Sequence, residues 1–432
     1  MKNLLKFIPL LLLLFAACKS QMIQKNTVKT IEKYPLFQQH HIGLYVYDPS
    51  TQKSIVSHNA DKYFTPASNT KILTFYTALK SLPDTLTSLE YFSKGDSIII
   101  WGTGEPTLLH SSWEYAQTQH VLDSLTEGKQ ILLAKRPYEE DNLGAGWAWD
   151  DYTYYFSAER SALPIAGNVV NVSMNDDQLD VYPSSFNHQF SADSQGARLD
   201  RTWDKNTFAY NPEKLTQRKR EIPFHWSYES AQELLENALS DSIQLIEFDS
   251  AFREFKQGEI LSVDRDSVLR KMMWESDNFL AEQLLIHSAH EKLGVLSSEK
   301  MIQYVSDSLF NFLPSPVRWT DGSGLSRYNL NTPENFVGIL SDLYKDFDQD
   351  YLFQFFPIGG VRGTLKNYYK SEKPFVYAKT GTLSNNHCLS GYLITAKGKV
   401  LVFSFMHNNY LYSSTEIKGG INEVLNYLRE NY

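Results

Sequence analysis

The sequence has only two cysteines, Cys18 and Cys388, among its 432 residues. A fold held together by several disulfides is therefore excluded, because at most one bridge could form. Strongly basic runs are also missing, and the formal net charge is −9 at pH 7. Nucleic acid is not an expected partner, since proteins that bind it need clustered Lys and Arg.

Long hydrophobic runs are scarce as well. The apolar stretch from Leu4 to Phe15 follows Lys2 and is too short to span a bilayer as a mature helix. Its charged start and the small residues behind it predict a secretory signal over residues 1–17. Residues 14–18 resemble a bacterial lipobox, in which the cysteine becomes the acylated first residue. We therefore expect a periplasmic protein anchored to a membrane through lipidated Cys18; a plain cleaved signal is the alternative.

The chain after the signal divides into an outer part and an inserted part. Residues 18–35 are polar and predict a lipidated tether. Residues 36–90 and 255–432 combine apolar-periodic helices with three late strand-like runs, which predicts an antiparallel sheet flanked by helices. Between them, residues 91–254 alternate short strand-like runs with turn residues and predict a β-rich inserted domain. The expected fold class is α/β (α+β).

Three short motifs occur in order along the outer part: Ser68-Asn69-Thr70-Lys71, Ser276-Asp277-Asn278 and Lys379-Thr380-Gly381. The first begins an apolar-periodic helix, where side chains three residues apart share a face, so the Lys71 amine can reach the Ser68 hydroxyl. The second interrupts a helical stretch, and the third ends a strand. Another Ser-x-x-Lys, at 297–300, lies in a polar stretch typical of a solvated helix face. Each motif alone is weak, but their order on these elements indicates a catalytic site.

The chemistry of these residue types suggests their roles. Ser68 is a poor nucleophile until a base takes its proton. Lys71 can be that base only as a neutral amine, which requires burial and a nearby cation to lower its pKa, and Lys379 is the obvious cation. Ser276, backed by a lysine, can relay a proton to the leaving amine.

This constellation resembles that of the penicillin-binding proteins and serine β-lactamases. Four further segments are similar to the D-alanyl-D-alanine carboxypeptidase/endopeptidase branch, the class C low-molecular-mass penicillin-binding proteins of peptidase family S13: residues 102–108, 146–151, 276–285 and 321–327. The resemblance implies a β-lactamase/transpeptidase-like domain that hydrolyses peptidoglycan stem peptides, is acylated by β-lactams and needs no metal or organic cofactor. Two departures are Arg362, where the family usually has an acid, and an insert that is shorter than in many members.

The resemblance also implies roles in substrate binding. Backbone N–H groups of Ser68 and Thr382 would hold the oxyanion. Asn278 would bind the peptide carbonyl, and Lys379 with Thr380 would receive the terminal carboxylate. The resemblance thus implies that the substrate binds along three consecutive residues: Thr380, Gly381 and Thr382.

Residues of the predicted insert suggest a second recognition site. Trp147, Asp150, Tyr155 and Arg327 could line a pocket for the diaminopimelate of a stem peptide, with Asp150 taking its amine and Arg327 its carboxylate. The alternative is packing of the insert together with a surface salt bridge.

Two other features invite functional interpretations that the sequence does not favour. His287 and His290 are three residues apart on a helix, but a third ligand is not placed, so a metal site is not expected. Cys388 lies in a strand-like run and is expected to be a small buried hydrophobe.

Two rival functions stay open at this point. A serine β-lactamase would share the acylation machinery but hydrolyse its acyl-enzyme quickly. A non-catalytic peptidoglycan-binding or β-lactam-sensing lipoprotein could use the same fold. The presence of both lysines, both serines and Asn278 argues for the enzyme, since a binding protein would not need them all.

Overall fold

The computed structural model describes residues 21–113, 116–176 and 178–432. Its helices are α1 (21–33), α2 (Lys71–Ser81), α3 (Ala116–Thr126), α4 (Tyr228–Leu239), α5 (Ala251–Glu254), α6 (Arg265–Glu275), α7 (Asn278–Leu293), α8 (Ser298–Ser308), α9 (Pro333–Asp346), α10 (Gln349–Phe353) and α11 (Ser414–Asn431). Within this part of the chain, none of the helices combines the length and the apolar character that crossing a membrane requires. The signal segment and Cys18 lie outside the described residues.

The strands fall into two larger and two smaller sheets. They are β1 (His41–Asp48), β2 (Lys53–His58), β3 (Thr85–Lys94), β4 (Ser97–Gly102), β5 (Gln130–Lys135), β6 (Val169–Asn175), β7 (Gln178–Tyr182), β8 (Phe190–Ala192), β9 (Leu199–Arg201), β10 (Phe208–Tyr210), β11 (Arg220–Pro223), β12 (Ile243–Glu247), β13 (Gly258–Asp264), β14 (Val376–Leu383), β15 (Asn386–Ile394) and β16 (Val400–Asn408).

The first large sheet has the order β14-β15-β16-β1-β2 and is antiparallel throughout. The register places Lys379 opposite Ser390, Ser390 opposite Ser404, and Ser404 opposite Tyr45. The antiparallel meander predicted for the last three strands is therefore confirmed. Because β14 is the edge strand, one side of it remains available to the neighbouring helices and to a cleft.

Helices cover both faces of this sheet. Along β1, Leu44 and Val46 join the apolar cluster formed with α1 and α11, whereas Tyr45 and Tyr47 pack against the cluster built by α2, α7 and α9. This alternation follows from the two-residue period of a strand. The helices thereby form a layer on each side, and the ends of α2 and α7 meet at the edge strand.

The segment predicted to be a lipidated tether contains a helix from residue 21 onward. Residues 21–33 form a helix, and Ile23, Thr27 and Ile31 of this helix are buried. These positions are four residues apart, so they lie on one helix face and pack into the cluster shared with α11. A polar composition concealed this narrow apolar stripe.

The second large sheet has the order β12-β5-β4-β3-β13. β4 and β5 are parallel and are connected through α3, which packs with α4 on the same apolar cluster. The segment predicted as a β-rich insert at 91–254 thus also contains helices. Its sheet extends outward to Thr85 and Asp264. That residues 91–254 form a separate inserted domain remains a prediction.

Candidate active site

The first motif occupies a tight turn at the start of α2. Ala67–Thr70 form a 3₁₀ turn, and Lys71 is the first residue of the α-helix. The Nζ atom of Lys71 lies 3.0 Å from the Oγ atom of Ser68. The expectation that this lysine reaches this serine agrees with the geometry, although Ser68 itself lies in the 3₁₀ turn before the α-helix.

Lys71 is fully buried and has two further acceptors. Its Nζ donates to Oδ1 of Asn278 at 2.6 Å and to the carbonyl of Ser323 at 2.8 Å. A neutral amine has two N–H donors and one lone pair. With both donors used in this way, the lone pair is left for the hydroxyl of Ser68.

Burial lowers the pKa of Lys71 to about 8, although the carboxylates of Asp321, Glu282 and Asp277 favour its charged form. The neighbouring Lys379 is affected in the same direction. Burial, and then the charge of Lys71, lower the pKa of Lys379 well below its usual value. Repulsion between two buried cations disfavours the state in which both lysines are charged.

The second motif separates two helices. Ser276 ends α6 in a left-handed conformation with a φ of 60°, and Asp277 caps α7 by accepting from the backbone N–H of Leu280 at 3.0 Å. This sharp bend turns Ser276 and Asn278 toward the same cleft. The amide nitrogen of Asn278 donates to the carbonyl of Phe156 at 2.8 Å, so its oxygen faces Lys71.

The third motif lies on the edge strand β14. Lys379 is fully buried, and its Nζ donates to Oγ of Ser276 and to the carbonyl of Thr380, each at 2.8 Å. The hydroxyl of Thr380 donates to Oγ1 of Thr364 at 2.9 Å. The three motifs therefore converge as two Lys–Ser pairs, joined by the Lys71–Asn278 contact.

Gly381 allows β14 to approach the nucleophile turn closely. A Cβ atom at this position would lie 2.3 Å from the carbonyl oxygen of Pro66 and 3.0 Å from the backbone nitrogen of Ser68. A side chain would force the strand and the turn apart. The third residue of the motif is thus required by packing.

A pair of buried carboxylates holds the loop that contacts Lys71, and no role was predicted for either residue. Glu282 accepts from the backbone nitrogens of Ser323 at 2.7 Å and Gly322 at 3.1 Å, while Asp321 accepts from Gly324 at 2.9 Å. Burial, and then Asp321, raise the pKa of Glu282 to about 7. These contacts fix the loop whose Ser323 carbonyl orients Lys71. The signal in the sequence was the pair of segments at 276–285 and 321–327.

The motifs open into a cleft of about 480 Å³. Its lining combines the nucleophile turn, the interhelical bend, β14 and a loop of the second region: Ser68, Tyr155, Phe156, Glu275, Ser276, Asn278, Gly324, Leu325, Thr364, Thr380, Thr382, Leu383 and Lys418.

The residues suggested for a diaminopimelate pocket are only partly brought together. Tyr155 lines the cleft. Trp147 instead donates its indole N–H to Asp321 at 2.9 Å, and so supports the loop behind Lys71. Asp150 and Arg327 are exposed, and the charges of both act on the pKa of Asp151, Asp150 raising it and Arg327 lowering it.

Ser297 and His287, which also stood out in the sequence, make contacts that stabilise local structure. Ser297 caps α8 by accepting from the backbone nitrogen of Lys300 at 3.2 Å. His287 contacts the carbonyl of Thr103 at 3.2 Å. Across residues 21–113, 116–176 and 178–432, the structure contains no group of three His, Cys, Asp or Glu side chains that could hold a metal ion.

Cys388 is buried, as expected. The unusual Arg362 places its guanidinium 4.4 Å from the ring of Trp274 and donates to the carbonyl of Gln354 at 2.8 Å. This arginine therefore bridges α6 and the segment after α10, and it serves packing there.

Comparison with known proteins adds three findings. The model of the D-Ala-D-Ala carboxypeptidase 3 (S13) family matches residues 23–430. The D-alanyl-D-alanine carboxypeptidase DacB of Haemophilus influenzae is 26% identical, covering 87% of each chain, and the penicillin-sensitive carboxypeptidase A of Dictyostelium discoideum is 22% identical, covering 88% of this chain and 85% of its own. The crystal structure of penicillin binding protein 4 (dacB) from Haemophilus influenzae superimposes with a TM-score of 0.73 at 21% identity, covering 93% of this chain and 98% of that one. The expected fold is confirmed by this match.

Proposed function

The chain belongs to the D-Ala-D-Ala carboxypeptidase 3 (S13) family, and we propose that it hydrolyses D-alanyl-D-alanine bonds of peptidoglycan through an acyl-enzyme on Ser68. The observation that carries this proposal is the 3.0 Å contact between the Nζ atom of buried Lys71 and the Oγ atom of Ser68. The same attack on a D-Ala-diaminopimelate cross-link is an endopeptidase reaction. β-Lactams acylate the same serine.

Acylation begins when neutral Lys71 takes the hydroxyl proton of Ser68 while Oγ bonds to the substrate's carbonyl carbon. The contacts with Asn278 and Ser323 hold the amine so that its lone pair faces the hydroxyl. Because a pKa of about 8 leaves a usable fraction of neutral amine at neutral pH, Lys71 can act as this base.

The terminal carboxylate of the substrate would influence which of the two lysines is charged. Burial and the charge of Lys71 lower the pKa of Lys379. A terminal carboxylate beside Lys379 and Thr380 would favour the charged form of Lys379. Repulsion between the two lysines would then favour neutral Lys71, the form that acylation requires.

Collapse of the tetrahedral intermediate breaks the peptide bond, and the leaving D-alanine amine takes a proton from Ser276. Lys379 can replace that proton through its 2.8 Å contact with the Ser276 hydroxyl. Water then attacks the ester on Ser68: the released peptide takes the hydroxide, and Ser68 regains its hydroxyl proton. The extra proton on Lys71 balances the one that Lys379 gave up, so both lysines return to their starting states.

Substrate binding follows from the cleft lining. Backbone N–H groups of Ser68 and Thr382 would stabilise the oxyanion, at a few kcal/mol for each donor. Asn278 would bind the peptide carbonyl. Asp150, Tyr155 and Arg327 remain proposed contacts for the diaminopimelate side chain, while the contact of Trp147 with Asp321 supports a positioning role.

We further propose the compartment and the organisation of the chain. An activity on peptidoglycan is compatible with a location outside the cytoplasm, and the lipobox supports a periplasmic protein anchored through Cys18. The catalytic domain would comprise residues 36–90 and 255–432, and residues 91–254 would be the inserted domain.

The test is to incubate the purified protein and its Ser68→Ala variant with disaccharide pentapeptide and with cross-linked muropeptide dimer, and to identify the products by mass. The wild type should release D-alanine from the pentapeptide, split the dimer, or do both. Intact substrates with the wild type, or equal products with the variant, would contradict the proposal.

A further inference from the structure

Several large aromatic side chains are exposed in the segment just before the cleft residue Phe156 and in the loop after β9. Trp149 is 77% exposed, Tyr154 54% and Trp203 49%, and the partly exposed Tyr152 packs against Trp203. We call these four residues the aromatic platform. Exposed apolar patches of this kind mark binding surfaces more often than scattered single residues do.

The platform is held in one arrangement. Trp149–Thr153 form a 3₁₀ turn, in which side chains three residues apart eclipse, so Trp149 and Tyr152 lie on the same side. The rings of Tyr152 and Trp203 meet edge to face at 4.7 Å. The Tyr152 hydroxyl also donates to the carbonyl of Arg201 at 3.0 Å, and the buried Arg201 guanidinium lies 5.2 Å from the Tyr152 ring. A ligand would therefore meet rings that are already oriented.

The platform is continuous with the catalytic cleft. The ring of Tyr154 stacks on Phe156 at 5.3 Å with an interplanar angle of 5°. Phe156 lines the cleft, and its carbonyl accepts from the side chain of Asn278 at 2.8 Å. The platform therefore adjoins the cleft at Tyr154.

The charges around the platform restrict the kind of ligand. Asp150 and Asp151 are part of the same 3₁₀ turn, and Asp204 follows Trp203 directly. Arg327 acts on Asp151 and Lys205 follows Asp204, so the three carboxylates exceed these two cations and disfavour an anionic partner. They also offer acceptors for hydroxyl and amide donors at the edges of the rings. Pyranose sugars have apolar C–H faces and polar edges, which fits aromatic faces bordered by acceptors.

We propose that the aromatic platform binds the amino-sugar units to which the stem peptide is attached. The inference rests on the proposed function, because peptidoglycan links each stem peptide to a glycan strand. The enzyme then prefers glycan-linked stem peptides to free ones, and the platform supplies this preference without contacting the scissile bond.

The experiment compares kcat/KM for free pentapeptide and for disaccharide pentapeptide. The Trp149→Ala/Trp203→Ala variant should lose about tenfold on the disaccharide substrate, a typical cost of truncating exposed aromatic contacts. Its activity on free pentapeptide and its acylation by penicillin should match the wild type. A matched control is Phe255→Ala, which removes another exposed ring, stacked on Phe92 at 5.8 Å.

Equal losses on both substrates would overturn the inference, because the rings would then act through the shape of the cleft. A loss confined to cross-linked dimers without sugars would assign the platform to the second stem peptide instead. An unchanged variant would also overturn it.

A binding measurement separates this inference from the proposed activity. Glycan strands stripped of their peptides should co-sediment with the wild type and with Ser68→Ala, but not with the platform variant. If Ser68→Ala binds the glycan strands but the wild type cleaves neither peptide substrate, the proposed function is refuted and the role of the platform is not. Failure of the wild type to bind the strands would refute the platform's role alone.

Discussion

The pKa of Lys71 gives a quantitative prediction for the pH dependence of acylation. A pKa of about 8 leaves roughly one tenth of Lys71 neutral at pH 7 and about nine tenths at pH 9. Because only the neutral amine accepts the Ser68 proton, the rate constant for acylation by penicillin should rise about tenfold between these values. A rate that stays constant from pH 6 to 10 would refute the assignment of Lys71 as the base.

Asp277→Asn tests the cause of this pH dependence. The Asp277 carboxylate raises the pKa of Lys71, so its removal should move the acylation profile toward lower pH. A unit charge several ångströms away contributes on the order of 1 kcal/mol at an intermediate dielectric constant, which corresponds to about half a pKa unit to one unit. Asparagine caps helices as well as aspartate, so the hydrogen bond to Leu280 can be kept.

The controls for this substitution are its stability and a distant charge. The thermal midpoint of Asp277→Asn should stay close to that of the wild type, and its acylation at pH 7 should be up to severalfold faster. Asp61→Asn removes an exposed carboxylate paired with Lys62 at 3.0 Å and should leave the profile unchanged. A profile that moves toward higher pH in Asp277→Asn would contradict the reasoning.

The remaining predictions concern the base, the packing of the edge strand and the anchor. Lys71→Arg should lose acylation by roughly 10²–10⁴-fold, because arginine stays protonated, whereas Lys379→Arg should keep measurable acylation by penicillin; the reverse order would transfer the role of base to Lys379. Gly381→Ala should slow acylation at least tenfold in the same assay, since its Cβ atom would lie 3.0 Å from the backbone nitrogen of Ser68, and an unchanged rate would show that β14 can move away freely. Cys18→Ala should release the protein from the membrane fraction or block its processing, and unchanged membrane association with a cleaved signal would leave the lipobox interpretation unsupported.

Local spacing was enough to find the first lysine–serine pair but not the second, because Lys379 and Ser276 are 103 residues apart. Ser68 and Lys71 are three residues apart on one turn, so their contact depends on little beyond that turn. The antiparallel meander was also predictable, because short apolar strands joined by tight turns leave few alternatives. These features are encoded within short stretches of the chain.

Contacts that form only by tertiary packing were harder to predict from the sequence. Glu282 resembles any polar residue of a helix until α7 packs against the loop with Ser323. The pKa of Lys71 also depends on carboxylates from separate segments, which spacing does not reveal. The helix at 21–33 was missed for a different reason, since Ile23 and Ile31 leave too sparse an apolar pattern in a polar segment.

The covalent adduct with penicillin tests the central claim most directly. After brief labelling and proteolysis, mass spectrometry should place the acyl group on the peptide that contains Ser68, and Ser68→Ala should carry no label while keeping its circular dichroism spectrum. An adduct on the peptide that contains Ser297, or label retained by folded Ser68→Ala, would contradict the assignment of Ser68 as the nucleophile.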